Sequence, residues 1–206
     1  MSTEKTKVNM DPKYIIKLTV TLFVTCVIVA GLLGGVNAIT KDKIAAINWE
    51  KTVAAMKAVV ADPDATTFSD ALPVTDEMAA AASAYGSLDS IYEVQVDGAA
   101  AGYAIKVVAS GSQGSIEMMV GVDAESAVTG VSIVSNSETA GIGSKVMSNE
   151  PTAAGVGVLT QFEGKSPADG ELTVGQGIDA ITGATVSSKG VTAGVNAAQA
   201  VAAVMG

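Results

Sequence analysis

The chain has 206 residues, with 12 Lys+Arg against 21 Asp+Glu and a net charge of −9; every cation is lysine, and there is no histidine. An acidic chain without arginine excludes nucleic acid as a partner, because phosphate backbones are held by basic patches and guanidinium forks. Without histidine there is no Ser-His-Asp triad and no His-ligated metal, and the single Cys26 excludes an intrachain disulfide or a thiolate cluster.

Residues 1–17 are polar, with Lys5, Lys7, Lys13 and Lys17 against Glu4 and Asp11. Residues 18–39 then run LTVTLFVTCVIVAGLLGGVNAI without a charge, long enough as a helix to cross a bilayer. Val36-Asn37-Ala38 mimics a signal-peptidase site, but the apolar run exceeds a signal core, so an uncleaved single-pass anchor is expected. Cys26 is then a small apolar residue facing lipid or a neighbouring helix. Lysines flank the span on both sides, and charge alone leaves its orientation balanced.

Residues 40–90 are expected to form a helical juxtamembrane region. Apolar residues at Ile44, Ile47, Val53, Met56 and Val59 keep helical spacing up to Asp62-Pro63-Asp64, and residues 78–84 predict a short helix. From Ile91 the pattern alternates. Residues 91–96, the Asp97-Gly98 turn pair and residues 102–108 predict a hairpin, and residues 116–122 with 127–134 predict a second. Four strands in hairpin order point to an antiparallel sheet in an α+β domain spanning residues 91–206, with flanking helices.

Three segments after the sheet draw attention. SETAGIGSK contains Glu138, Thr139 and two glycines, Gly141 and Gly143, spaced so that backbone can approach a flat ligand. It lacks the third glycine and the βαβ setting of a dinucleotide fingerprint. QFEGKS, from Gln161, is a turn too short for a P-loop. DAITGATVSS, residues 179–188, gathers Thr182, Thr185, Ser187 and Ser188 around Gly183-Ala184, just before an apolar helix expected over residues 189–205. Hydroxyls before a helix are ordinary N-caps, the commoner role. The same residues also suit an anion, since a helix start offers N–H donors and partial positive charge.

Taken together, the three segments resemble the membrane-anchored FMN-binding subunits of Rnf complexes and of Na+-pumping NADH:quinone oxidoreductases. DAITGATVSS is similar to the flavinylation signature of that family, SETAGIGSK to its Glu-Thr-Pro-Gly-Leu-Gly segment with Ala140 in place of proline, and QFEGKS to its Phe-x-Gly-Lys turn. The likeness runs from Lys13 to Gly206, and the short length favours the Rnf G-type subunit over the C-type subunit of the quinone reductase. The resemblance implies FMN joined through its phosphate to the hydroxyl of Thr185, attached by a separate flavin transferase. It also implies a domain outside the cytoplasm, a cytoplasmic segment at residues 1–17, and partnership with the A, B, C, D and E types of Rnf subunit. The protein would carry electrons between ferredoxin and NAD+ within an ion-translocating membrane complex and would not be catalytic alone. In support of the phosphate, Thr182 and Ser188 are expected to donate hydrogen bonds, Gly183 and Ala184 to offer backbone N–H groups, and Asp179 to organise the turn or be recognised by the transferase. The competing readings are an anchored binding module without flavin and a reductase acting directly on a small substrate.

Overall fold

The computed structural model describes residues 12–205. Helix α1 (Pro12–Ala58) is 47 residues long, and among the described residues it is the one helix long and apolar enough to cross a membrane. Its most apolar window has no buried residue, and Leu22, Phe23, Leu32 and Leu33 are all about two-thirds exposed. No proline interrupts it, and Thr21, Thr25 and Thr40 return their hydroxyls to carbonyls three or four residues earlier, which keeps these polar groups satisfied in an apolar setting.

The chain divides at Trp49–Glu50 into two compact units. The second is built on a five-stranded antiparallel sheet in the order β1 (Thr66–Phe68), β2 (Ser87–Val96), β3 (Ala99–Ser110), β4 (Ser115–Asp123) and β5 (Val128–Asn136). The β2–β3 hairpin turns through Asp97 and Gly98 with φ of 52° and 79°, the pair of positive φ values that an Asp-Gly turn supplies. The sheet is therefore a plain meander, and the α+β expectation holds. The stretch 40–90, expected to be helical, also contains β1 and the start of β2. Thr66, Thr67 and Phe68 pair with Val96, Gln95 and Val94, and this three-residue strand is too short to show a period in the sequence.

Alternation sends β3 and β4 side chains to two different layers. Ile105, Val107, Ala109, Ile116, Met118, Val120 and Val122 join the larger core, with Val191, Val195, Ala198 and Val201 of helix α4 (Thr185–Met205). Ala104 and Met119 face the other way, against Ala55, Met56 and Val59 at the C-terminal end of α1 and just beyond it. Both faces are thus covered at the centre of the sheet. On the second face, Lys106 bridges Asp89 at 3.2 Å and Glu117 at 3.5 Å. Burial acts to lower its pKa, but the hydrogen bonds and charges of those carboxylates, Asp89 foremost, outweigh this and hold it above the usual lysine value.

Close packing on that face depends on Gly121 and Gly130, which stand opposite each other on β4 and β5. A Cβ at Gly121 would lie 2.5 Å from the Val59 carbonyl oxygen, and one at Gly130 would lie 3.1 Å from Val59 Cα. Thr129 Oγ1 donates to the same carbonyl at 2.6 Å. Helix α2 (Asp76–Ala82) is capped by Thr75, whose side chain accepts from Met78 N, and it packs beside α4. Helix α3 (Gly143–Met147) and the short parallel pair β6 (Thr173–Val174) and β7 (Gly177–Ile178) complete the unit.

Candidate functional site

The turn before α4 is shaped by Gly183, with φ of 84°, followed by an Ala184 N–H that bonds back to the Ile181 carbonyl at 2.9 Å. The helix therefore begins at Thr185, four residues earlier than the apolar pattern alone indicates. The residue at the cap position is Ala184, which has no side-chain acceptor to offer. The first intrahelical N–H, that of Ser188, bonds to the Ala184 carbonyl at 2.9 Å. The N–H groups of Thr185, Val186 and Ser187 are the usual orphans of a first turn, and no acidic residue stands in that turn to meet them.

A pocket of about 160 Å³ opens at this helix start, lined by Glu138, Thr139, Ile142, Gly143, Gly183, Ala184, Thr185, Val186 and Ser187, with Ser112 at its edge. Two segments forty residues apart in the chain, SETAGIGSK and TGATVSS, thus form one site. Thr185 is exposed, as are Thr139 and Val186.

Glu138 ties the pocket wall together. One carboxylate oxygen accepts the Ser187 hydroxyl at 2.6 Å. The other accepts the backbone N–H groups of Ser112 at 2.7 Å and Gln113 at 3.3 Å, from the β3–β4 loop. Gly111 and Gly143 flank this carboxylate so closely that a Cβ on either would collide with one of its oxygens. Gly143 is buried and makes room for Glu138 and Ser187, not for a flat ligand. Gly141 is exposed, outside the pocket lining, with φ of 78° and a backbone N–H donated to Ser144 Oγ at 2.8 Å; it serves the turn into α3.

Three other expected site residues stand apart from the pocket lining. Ser188 is fully buried, and its hydroxyl donates to the Ala184 carbonyl at 3.1 Å, so it is not turned to an anion at the helix start. The reason is tertiary: Ser188 is packed against the core under α4, which takes its hydroxyl back onto the main chain of its own helix. Thr182 is exposed on the turn. Asp179 is exposed, and its backbone is clamped by Gln161, which accepts from Asp179 N at 2.7 Å and donates to the Asp179 carbonyl at 3.1 Å. The turn is organised by the Gln161 amide acting on the main chain, not by the Asp179 carboxylate. Gln161 precedes Phe162, whose ring is fully buried under the sheet, while Gly164 N and Lys165 O pair with Val128. The Phe-x-Gly-Lys turn is accordingly a brace for the site.

Sequence reasoning does not distinguish Ser187 or Ser112. Ser187 looks like any hydroxyl of the run, and its link to Glu138 spans 49 residues.

The residues fit the phosphate end of a flavin nucleotide. The first turn of α4 presents Thr185, Val186 and Ser187 backbone donors beside a free hydroxyl, while the pocket is smaller than the roughly 300–1,000 Å³ typical of whole-ligand sites. Residues 111–200 match the model of the FMN-binding domain family. Over 197 residues the chain is 35% identical to the G-type subunit of the Na+-translocating ferredoxin:NAD+ oxidoreductase complex of Acetobacterium woodii, covering 93% of each chain. The chain belongs to the family of G-type subunits of Rnf complexes, and its second unit carries that family's FMN-binding domain.

Proposed function

We propose that this protein is the membrane-anchored electron carrier of a ferredoxin:NAD+ oxidoreductase complex, holding FMN by a phosphoester to Thr185. The observation that carries the assignment is that Thr185 alone combines exposure, the first position of α4 and a place in the lining of the pocket. Ser187 is engaged by Glu138, and Ser188 and Thr192 are buried with hydroxyls donated to carbonyls one turn back. Thr182 is exposed but outside the pocket lining.

Attachment forms the Thr185 Oγ–P bond as the hydroxyl proton is lost and the bond from phosphorus to the leaving group of an activated flavin donor breaks. A separate transferase supplies that donor, and the chain gains the mass of FMN less one water. When bound, FMN supplies the redox chemistry. The chain's own residues bind and position: the first-turn N–H groups offset the phosphate charge, and exposed Lys189 adds a cation one turn along. A covalent tether suits a domain outside the cytoplasm, where dissociated FMN would be lost; residues 18–39 anchor it, and the other Rnf subunits are its partners.

The test is a denaturing gel viewed for flavin fluorescence, with intact mass, on protein co-expressed with the transferase. Wild type is expected to fluoresce and to carry one added FMN, and Thr185→Ala to carry none. A Thr185→Ala band as bright as wild type would falsify the assignment. Absence of flavin from wild type would point to the binding module instead.

A further inference from the structure

We infer that Glu138 is a positioning residue that selects which hydroxyl of the α4 start receives the flavin phosphate, by capturing Ser187 and leaving Thr185 as the available one of the two first-turn hydroxyls that line the pocket. The inference rests on covalent attachment at Thr185 and adds to it a physical basis for the choice of residue.

Two serine and threonine hydroxyls line the same pocket within the first turn of α4, those of Thr185 and Ser187. Both precede the first satisfied helical N–H, so both lie where a phosphate would be held by backbone donors. Helix geometry alone does not separate them. What separates them is Glu138. Ser187 is 2% exposed, and its proton is committed to a carboxylate oxygen at 2.6 Å, the length of a charge-assisted hydrogen bond. A phosphate oxygen brought to Ser187 would also meet that carboxylate, a like charge with no cation between them.

The carboxylate is held in place by everything around it. Its second oxygen takes the Ser112 and Gln113 N–H groups, so the loop after β3 cannot leave without stranding it. Gly111 and Gly143 leave space for the two oxygens on either side. Gly190, in the second turn of α4, lets the helix approach the same loop, since a Cβ there would lie 2.5 Å from the Ser110 carbonyl. Three chain segments, the β3–β4 loop, the start of α3 and the first turn of α4, therefore converge on one side chain, whose hydrogen bonds go to Ser187, Ser112 and Gln113. Glu138 acts on Thr185 through these neighbours.

Attachment at Ser187 would balance in the same way as at Thr185, with the Oγ–P bond formed, the hydroxyl proton lost and the donor's leaving group released. The competition is thus between equivalent reactions, and the site of modification reads it out. The experiment uses the full chain co-expressed with its transferase, with peptide mass mapping of the flavin. Hydrogen exchange is followed separately on chain made without the transferase. Wild type is expected to carry FMN on Thr185 only. Glu138→Ala is expected to lose occupancy at Thr185 and to yield a Ser187-linked peptide, which disappears again in Glu138→Ala combined with Ser187→Ala. In the unmodified Glu138→Ala chain, the amides of Ser112 and Gln113 are expected to exchange about tenfold faster or more, the size of a lost charge-assisted hydrogen bond. Glu138→Gln keeps the side-chain volume with a single acceptor oxygen, and it carries the test if Glu138→Ala exchanges globally; an intermediate split between Thr185 and Ser187 is expected. A Glu138→Ala or Glu138→Gln chain modified on Thr185 alone, to the wild-type level, overturns the inference. Thr185→Ala modified as fully as wild type, or wild type without flavin, overturns the attachment itself.

Discussion

Two pairs of glycines in this protein leave room for two different neighbours. Gly121 and Gly130 admit the main chain at Val59, where the end of α1 meets the sheet; Gly111 and Gly143 admit the carboxylate of Glu138 at the start of α4. The geometric device is the same, a missing Cβ that allows a close approach. The consequences differ because a backbone carbonyl in a packed core has nowhere to go, whereas a carboxylate at the end of a side chain can be displaced, at the cost of its hydrogen bonds to Ser187, Ser112 and Gln113. The first pair should therefore matter to stability, and the second to the geometry of the site.

The largest effect is expected for Gly121→Ala, where the new methyl would meet both the Val59 carbonyl and Thr129 Oγ1. Overpacking of this kind costs about 1–3 kcal/mol or more, and at roughly 2–4 °C per kcal/mol for a chain of this size the thermal midpoint should fall by several degrees. Flavin attachment in the folded fraction should persist; an unchanged midpoint would mean that the main chain at Val59 has room to move away from the sheet. Next comes Gly143→Ala, which is expected to displace Glu138 and Ser187 at a cost of about 1–2 kcal/mol. Its signature is a fall in Thr185 occupancy by peptide mass mapping, larger than Gly121→Ala produces at matched stability. Equal occupancy in the two variants would erase the distinction.

Gly130→Ala should be milder, about 1 kcal/mol in urea unfolding, since its nearest neighbour is at 3.1 Å and has only a few tenths of an ångström to give. The smallest effect belongs to Lys106→Met on the same face of the sheet. Its carboxylate partners are partly exposed, which limits the pair to about 0.5–1 kcal/mol. Because the Lys106 pKa is raised on folding, its contribution is fully present below the unfolded value of about 10.4 and is lost as pH climbs through the higher folded value. The difference between wild type and Lys106→Met should accordingly shrink above pH 10.5, the ordinary value, in unfolding titrations.

Much of the architecture is legible in the residues. Period-two alternation around Asp97-Gly98 marks the central hairpin, because each strand has one face on each core layer. The strand at Thr66–Phe68 is not legible, since its strand character comes from pairing with β2 and not from any local pattern. At the site, hydroxyl chemistry and resemblance together point to Thr185. Ser188, expected to support the phosphate, is instead buried against the core with its hydroxyl on the Ala184 carbonyl, a burial that the spacing of hydroxyls along the chain does not reveal. The spacing of Gly141 and Gly143 suggests ligand approach, whereas the role Gly143 has, leaving space for Glu138, is visible only when both segments are placed.

The sequence by itself determined the uncharged 22-residue run, the antiparallel meander and the hydroxyl-rich helix start, because each depends on hydropathy, periodicity or turn chemistry within a few residues. Only the tertiary structure decided which hydroxyl is left free. That outcome depends on Glu138 reaching Ser187 across 49 residues and on Ser188 facing the core, and both are contacts between elements that no local pattern encodes.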